Sequence, residues 1–184
     1  MKVILGSSSR NRRALVKHLN WELQSPDIDE KSIRCENPFE LPLLIAKAKA
    51  AVFPPQEALL VTADQVVLFN GQVREKPRDE EQAFEFLMSY SKNFAQTINA
   101  IVVTDLKTGR QLSNVDVAVV AFGSITPDIA VDSVRQGECL TNAGGLDPLL
   151  YTVVHGDPTS VLGMNMRILK EMIVESTYNG YLHI

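Results

Sequence analysis

The stretch VTADQVVLFNGQVREKP, residues 61–77, carries the strongest hairpin signal in the chain. It is an apolar run with one carboxylate, Asp64, followed by Asn-Gly at positions 70–71 and a shorter returning run. Asn-Gly between alternating apolar residues predicts a two-residue turn, because both turn residues must adopt positive φ. Such a turn places Gln65 opposite Lys76, with the two side chains about 5 Å apart. The hairpin therefore brings a carboxylate, an amide and an ammonium toward its open end.

Asp64 lies one residue beyond Gln65 and faces the other side of the strand by strict alternation. To bring Asp64 and Lys76 onto one ligand, the strand pairing has to break or bulge near Lys76. A lysine close to Asp64 would lower the pKa of its carboxyl group. An acid at this place can also cap a turn or pair with any arginine, so residues elsewhere in the chain must decide its role.

Composition indicates one soluble domain of two closely joined lobes over residues 1–184, with 45% hydrophobic and 22% charged residues. A net charge of −4 argues against a general binder of nucleic acid polymers, although a local basic cluster can still bind a polyanion. No apolar run approaches the ~20 residues of a membrane span. Cys35 and Cys139 follow no motif spacing, which together with the lack of a signal peptide predicts a cytoplasmic protein.

The N-terminal pattern is a short strand at residues 2–5, a GSSS turn at 6–9, and then Arg10, Arg12 and Arg13. Backbone N–H groups at a helix start and guanidinium forks match phosphate oxygens, so this pattern predicts an anion site. It is not a Walker loop, because the Gly-x4-Gly-Lys spacing is absent. A serine-capped surface helix with solvated arginines is the alternative interpretation.

The block SPDIDE, residues 25–30, places three carboxylates within four positions. Carboxylate oxygens without histidine or cysteine suit a hard cation such as Mg²⁺. The commoner explanation for such a block is an acidic surface turn. Likewise, Lys49 falls near the end of a predicted helix, where lysines are usually solvated.

The remaining periodicities alternate between helical and strand patterns. Capping signals predict helices after Asn37-Pro38, with a start delayed by Pro42, after Asp79, from Thr126 to about Arg135, and after a Thr159 or Ser160 cap. Strand patterns occupy residues 21–25, 96–105, 111–122 and 149–154. These elements predict an α/β fold with a long mixed sheet bent around a central cleft.

Seven blocks occur in a specific order, namely GSSSRNRR, SPDIDE, AKAKA, TADQVV, EKPRD, NAGG and TSVLG. Together they resemble the Maf family of nucleoside triphosphate pyrophosphatases over nearly the whole chain. The resemblance implies an elongated fold like that of the inosine triphosphate pyrophosphatases, with flanking helices around a central cleft and commonly a homodimer. It also implies cleavage between the α and β phosphates with a divalent cation, Mg²⁺ or Mn²⁺.

Carried over position by position, the resemblance assigns roles to individual residues. Asp64 and Lys76 would be catalytic, and Glu30 would hold the metal with Asp64, whose roles as proton acceptor and metal ligand stay open. Substrate binding would involve a larger set, Ser7, Asn11, Arg12, Lys49, Gln65 and Asp147. Gln65 resembles the branch that hydrolyses 7-methyl-GTP, since many members acting on pyrimidine triphosphates have threonine there.

Two departures from the family pattern bear on substrate choice. Asn11 replaces an arginine at a position tied to specificity, and the segment after Gly145 is several residues short, leaving Asp147 as the nearest match to the family's Gln or Glu. The sequence therefore predicts a pyrophosphatase acting on a modified nucleoside triphosphate. The alternative is a catalytically weak, nucleotide-binding regulatory protein of the same fold.

Overall fold

The computed structural model describes residues 1–91 and 93–178, within which apolar runs form the strands of a mixed sheet. The seven strands are β1 Val3–Gly6, β2 Glu22–Gln24, β3 Leu59–Phe69, β4 Gln72–Arg74, β5 Ala95–Asp105, β6 Gln111–Phe122 and β7 Tyr151–His155. Their order is β2-β1-β3-β5-β6-β7, with β4 paired to β3. β1 runs parallel to β2 and β3, whereas β4 and β7 run antiparallel to their partners. The predicted mixed sheet is confirmed.

The helices lie between strands or pairs of strands along the chain, and the last two follow β7. They are α1 Arg10–Val16, α2 Leu41–Ala51, α3 Glu80–Tyr90, α4 Pro127–Gln136, α5 Glu138–Thr141, α6 Pro158–Val161 and α7 Met166–Tyr178. Two 3-10 turns lie at Glu30–Ser32 and Ala143–Gly145. Among the helices in the described residues, none has both the length and the apolarity needed to cross a bilayer.

The chain divides into two compact units, which share the long strands β3, β5 and β6. The first unit comprises Met1–Asp64, Asn99–Asp116 and Thr159–Ile184. In it, Leu5 packs with the buried face of α7, and Ile4 packs in a second cluster on the opposite side. Because both faces of β1 are covered, its sequence is apolar throughout rather than alternating.

The second unit comprises Gln65–Ile98 and Val117–Pro158 and contains the hairpin of β3 and β4. Phe69 pairs with Gln72, and the two turn residues have φ values of 50° and 76°, which confirms the predicted turn. The ladder ends at Arg74, and the next carbonyl, that of Glu75, accepts a hydrogen bond from Gly144 N at 2.8 Å. The predicted pairing of Gln65 with Lys76 is therefore wrong, because another backbone segment replaces the ladder before it reaches them.

Aromatic packing surrounds the hairpin inside the second unit. The Tyr90 ring lies 4.9 Å from the Phe69 ring and stacks on Phe122 at 4.4 Å. Arg74 places its guanidinium over the Phe69 ring at 4.3 Å, while the Tyr90 hydroxyl donates to Gly144 O at 2.6 Å. These contacts fix the backbone turn at Gly144, whose φ is 64°.

The capping residues follow the sequence signals at three helices and depart from them at α7 and at α2, whose N-cap is Glu40, without a side-chain cap, rather than Asn37. Ser9, Asp79 and Thr126 accept hydrogen bonds from the first turns of α1, α3 and α4, as their sequence positions predict. At α7 the prediction was wrong, because the cap is Asn165, whose Oδ1 accepts from the N–H groups of residues 167 and 168. Thr159 lies in the separate short helix α6, although its Oγ1 also accepts from the N–H of Met166, the first residue of α7.

Candidate functional site

Four charged side chains of the first unit meet at one place, and we call Arg12, Glu30, Lys49 and Asp64 the charge cluster. They come from α1, a 3-10 turn, α2 and the middle of β3. Lys49 Nζ lies 2.8 Å from Asp64 Oδ1 and 3.1 Å from Glu30 Oε1. The ammonium thus bridges the two carboxylates that the sequence assigned to metal binding.

Arg12 completes the cluster. It is buried, with 7% of its surface exposed, and its charge is attracted by both Asp64 and Glu30. Its Nε donates to the backbone carbonyl of Gly163 at 2.9 Å. Two cations therefore balance two anions, and three of the four side chains are buried, whereas the Glu30 side chain is 43% exposed.

Burial dominates the electrostatics of Asp64. Its side chain is 10% exposed, and loss of hydration raises the pKa of its carboxyl group, although the charges of Lys49 and Arg12 act in the opposite direction. The nearby lysine does lower this pKa, as expected, but the pKa is raised overall because the cost of burying the carboxylate exceeds the attraction of the cations. Burial also lowers the pKa of Arg12, against the attraction of the two acids.

The predicted phosphate-binding turn has a well-defined local structure. Ser7 is buried, and its Oγ accepts from Ser9 N at 3.1 Å. Arg13 donates to Ser7 O at 2.8 Å and to Ser25 Oγ at 2.8 Å, so this arginine holds the turn together. Asn11 lies half-buried on α1, directly before Arg12.

Three predicted site residues belong to the second unit. Lys76 is exposed and Gln65 is half-buried. Asp147 is buried, and its carboxylate accepts from Ser133 Oγ at 2.6 Å and from Leu149 N at 2.9 Å. Both oxygens of Asp147 thus serve the local fold, which gives this residue a structural role. It stays a prediction that Asp147 contacts the substrate. It also stays a prediction that Lys76 acts together with the charge cluster.

The predicted donors for a metal ion are Glu30 and Asp64, which lie on either side of Lys49 Nζ. Within residues 1–91 and 93–178, no group of three or more His, Cys, Asp or Glu side chains could hold a metal. Asp29, from the same acidic block, accepts from Lys31 N at 3.1 Å and caps the 3-10 turn. Mg²⁺ typically binds one or two carboxylates together with substrate phosphates, so two acids fit a metal that arrives with a nucleotide.

Sequence reasoning missed the contact between Arg12 and Gly163. It also missed Asp116, which accepts hydrogen bonds from Ser160 Oγ and Asn165 Nδ2. A glycine inside the TSVLG block was the available signal, since glycine allows another group to approach the backbone closely. Asp116 carried no signal, because an acid on a half-exposed strand is ordinary.

Comparison with known proteins identifies the family. The family model described as "Maf-like protein" matches residues 2–176, and the chain therefore belongs to the Maf-like protein family. The family prediction is confirmed.

Relatives with assigned activities are similar over almost their whole length. A 7-methyl-GTP pyrophosphatase of Dictyostelium discoideum is 32% identical, over 93% of this chain and 95% of that protein. A dTTP/UTP pyrophosphatase of Photorhabdus laumondii is 32% identical over 93% and 92%. A dTTP/UTP pyrophosphatase of Chlamydia trachomatis serovar D is 31% identical over 95% and 93%.

Solved structures are similar at a lower level. A nucleoside-triphosphatase (dITP/XTP pyrophosphatase) from Mycobacterium abscessus aligns over 100% of both chains with a TM-score of 0.45 and 13% identity. A HAM1 protein from Coxiella burnetii aligns over 96% of this chain and 99% of its own, with a TM-score of 0.47 and 14% identity.

Proposed function

We propose that this protein hydrolyses a nucleoside triphosphate to a monophosphate and pyrophosphate. The observation that carries the proposal is the charge cluster, in which Glu30 and Asp64 neutralise two buried cations, Arg12 and Lys49. When a polyanion binds, its phosphate oxygens can replace the carboxylates beside these cations at a low cost in free energy, because the cations keep partners of opposite charge throughout. The named activities of the relatives support the same reaction class.

Substrate binding would proceed by this exchange of partners. Phosphate oxygens would take the places that carboxylate oxygens now hold beside Lys49 and Arg12, since phosphate and carboxylate accept similar hydrogen bonds. The two released carboxylates would then be able to hold Mg²⁺ or Mn²⁺. The ion, when bound, would supply neutralisation of phosphate charge at this site.

In the reaction, the oxygen of a water molecule forms a bond to the α-phosphorus, and the bond from that phosphorus to the bridging oxygen breaks. Pyrophosphate leaves with the electron pair. Asp64 would either hold the ion together with Glu30 or accept the proton from the attacking water, and its raised pKa favours the second role. Lys49, Arg12 and Lys76 would stabilise the charge that develops on the phosphate oxygens.

For the base, we propose 7-methyl-GTP. The relative from Dictyostelium discoideum carries this substrate in its name, and Gln65 stands at the position where the family resemblance places the choice between substrates. Relatives named dTTP/UTP pyrophosphatases have nearly the same identity, so the pyrimidine triphosphates are the competing substrates. The replacement Gln65→Thr should lower kcat/KM for 7-methyl-GTP relative to kcat/KM for dTTP and UTP.

The second candidate is a nucleotide-binding regulator without turnover. The observation that favours it is Asp147, the nearest match to a family Gln or Glu in the shortened segment, which uses both oxygens within its own unit. Such a protein would still bind triphosphates through the charge cluster.

A release assay separates these functions. Pyrophosphate formation is measured with 7-methyl-GTP, GTP, dTTP, UTP and dITP, each with Mg²⁺ or Mn²⁺, and binding is measured by calorimetry on the same samples. Turnover that is lost in Lys49→Met but kept in Lys47→Met, an exposed lysine of the same helix, supports the proposed enzyme. Binding without turnover selects the regulator, and the absence of both overturns the proposal.

We further propose a homodimer in a reducing cytoplasm. Cys35 and Cys139 are free thiols in the described part of the chain, as expected for a reducing compartment. Light scattering coupled to size-exclusion chromatography tests the dimer, and a molar mass near the chain mass of 20.4 kDa would contradict it.

A further inference from the structure

The turn between α6 and α7 supplies the carbonyl that Arg12 uses. Gly163 O accepts from Arg12 Nε at 2.9 Å, across a sequence separation of 151 residues. Gly163 has φ +99°, and a Cβ added there would lie 3.1 Å from Arg12 Nε and 3.3 Å from Nη2. Glycine is therefore required twice, for the left-handed backbone and for the space that the guanidinium occupies.

Hydrogen bonds within this turn fix where the carbonyl of Gly163 points. Gly163 N donates to Ser160 O at 2.8 Å, and Met164 N donates to Thr159 O at 3.2 Å. Met166 N donates to Thr159 Oγ1 at 2.9 Å. The turn is thus tied to the helix before it and to the helix after it, so a displacement of either end moves the carbonyl.

One carboxylate on β6 joins the two ends of the turn. Asp116 Oδ2 accepts from Ser160 Oγ in a short hydrogen bond and from Asn165 Nδ2 at 3.2 Å. The second oxygen, Asp116 Oδ1, is buried and has no hydrogen-bond partner in the described part of the chain. A buried acceptor without a partner lowers stability, so its presence calls for another reason.

We propose that Asp116 is a positioning residue for Arg12. Through Ser160 and Asn165 it holds the carbonyl of Gly163, and that carbonyl orients the guanidinium of Arg12 toward the phosphates of the substrate. This inference rests on the proposed function, because it assigns Arg12 to phosphate binding. In this proposal Asp116 acts on the substrate through Arg12, since its carboxylate binds Ser160 and Asn165 of the turn.

The experiment compares the same substitutions in two backgrounds. Asp116→Ala and Ser160→Ala are made in the natural chain and in Arg12→Met, and Asp132→Asn, an exposed acid, serves as the matched control. The kcat/KM value for the preferred triphosphate and the affinity for inorganic tripolyphosphate are measured in every variant. In the natural background each substitution should lower kcat/KM about 10- to 100-fold, the loss typical of a displaced positioning group.

In the Arg12→Met background the same substitutions should change both quantities less than about twofold, since residues that act through one another are not additive. Equal factors in the two backgrounds would show that Asp116 only supports the fold, and would overturn the inference. No loss in the natural background would overturn it as well. If Asp116→Ala does not fold, Ser160→Ala, which removes only one hydroxyl group, is compared in the two backgrounds instead.

Failure of the proposed function gives a different result. If the natural protein releases pyrophosphate from no triphosphate, the enzyme proposal is wrong, while tripolyphosphate binding in the two backgrounds still decides the role of Asp116. If Asp116→Ala and Ser160→Ala weaken tripolyphosphate binding only in the natural background, the positioning role is supported in that case too. A loss of equal size in both backgrounds, or no loss in either, refutes it.

Discussion

Replacing Lys49 by methionine removes the cation that lies between Asp64 and Glu30. The Lys49 side chain is only 5% exposed, so the methionine fills a similar buried space. Removing one partner of a buried ion pair costs about 3–5 kcal/mol, and the remaining attraction from Arg12 places the expected loss near the lower value. Against a total stability of about 5–15 kcal/mol, a loss of about 3 kcal/mol is large.

The size of this loss should depend on pH, and the sign follows from Asp64. Burial already raises the pKa of Asp64 in the folded protein, and removing Lys49 removes a group that lowers it. With a folded pKa above the unfolded one, the folded protein binds the proton more tightly. The free energy of unfolding of the variant therefore falls as pH rises through the folded pKa, and recovers as pH decreases toward the ordinary carboxyl value of about 3.9. Arg12 and Glu30, the other charges facing Asp64, are retained in the variant.

The assay is urea unfolding followed by the fluorescence of Trp21 and by circular dichroism, at about pH 5.5 and about pH 8. The deficit of Lys49→Met relative to the natural protein should be smaller at the lower pH, and Lys47→Met should show little deficit at either. The double variant Lys49→Met with Asp64→Asn should recover about 0.5–3 kcal/mol relative to the sum of the single losses. A deficit that is equal or larger at the lower pH would refute the reasoning.

Three further predictions concern turnover and packing. Asp64→Asn should abolish pyrophosphate release while the circular dichroism spectrum is unchanged, and near-normal release by the folded variant would contradict its catalytic role. Lys76→Ala should reduce transition-state stabilisation by about 2–4 kcal/mol in steady-state kinetics, whereas a change confined to KM would count against that role. Gly144→Ala should lower the free energy of unfolding in urea more than the control Gly109→Ala does. Both glycines have positive φ, but only at Gly144 would the new Cβ lie 2.7 Å from a valine side chain. Equal losses for the two glycines would show that backbone strain alone sets the cost.

The parts of the fold that depend on neighbouring residues could be predicted from the sequence. The Asn-Gly turn and the caps at Ser9 and Asp79 are set by chemistry within a few residues, and the structure has all three. Before α7, three residues that can cap a helix lie within seven positions of the sequence, namely Thr159, Ser160 and Asn165, and local rules could not choose among them. The observed cap is Asn165, and Asp116 binds both Asn165 and the predicted cap Ser160, so the arrangement of this turn depends on a residue far away in sequence.

The candidate site was predictable in its members but not in its electrostatics. The family blocks pointed to Arg12, Glu30, Lys49 and Asp64, and the structure places all four in one cluster. The raised pKa of Asp64 could not be predicted, because it depends on burial by segments that are remote in sequence. The contact of Arg12 with Gly163 joins residues at opposite ends of the chain, and no local pattern records it.

The first unit is assembled from three separated stretches, the last of which begins at Thr159. This stretch contributes Met164 and Leu169 to the buried core as well as the carbonyl that holds Arg12. A growing chain on the ribosome that has reached residue 158 therefore lacks part of that core, although Leu5 and Val61 have long since been synthesised. The unit can close only after this stretch has been synthesised, and until then its apolar strands expose surface that is prone to aggregation.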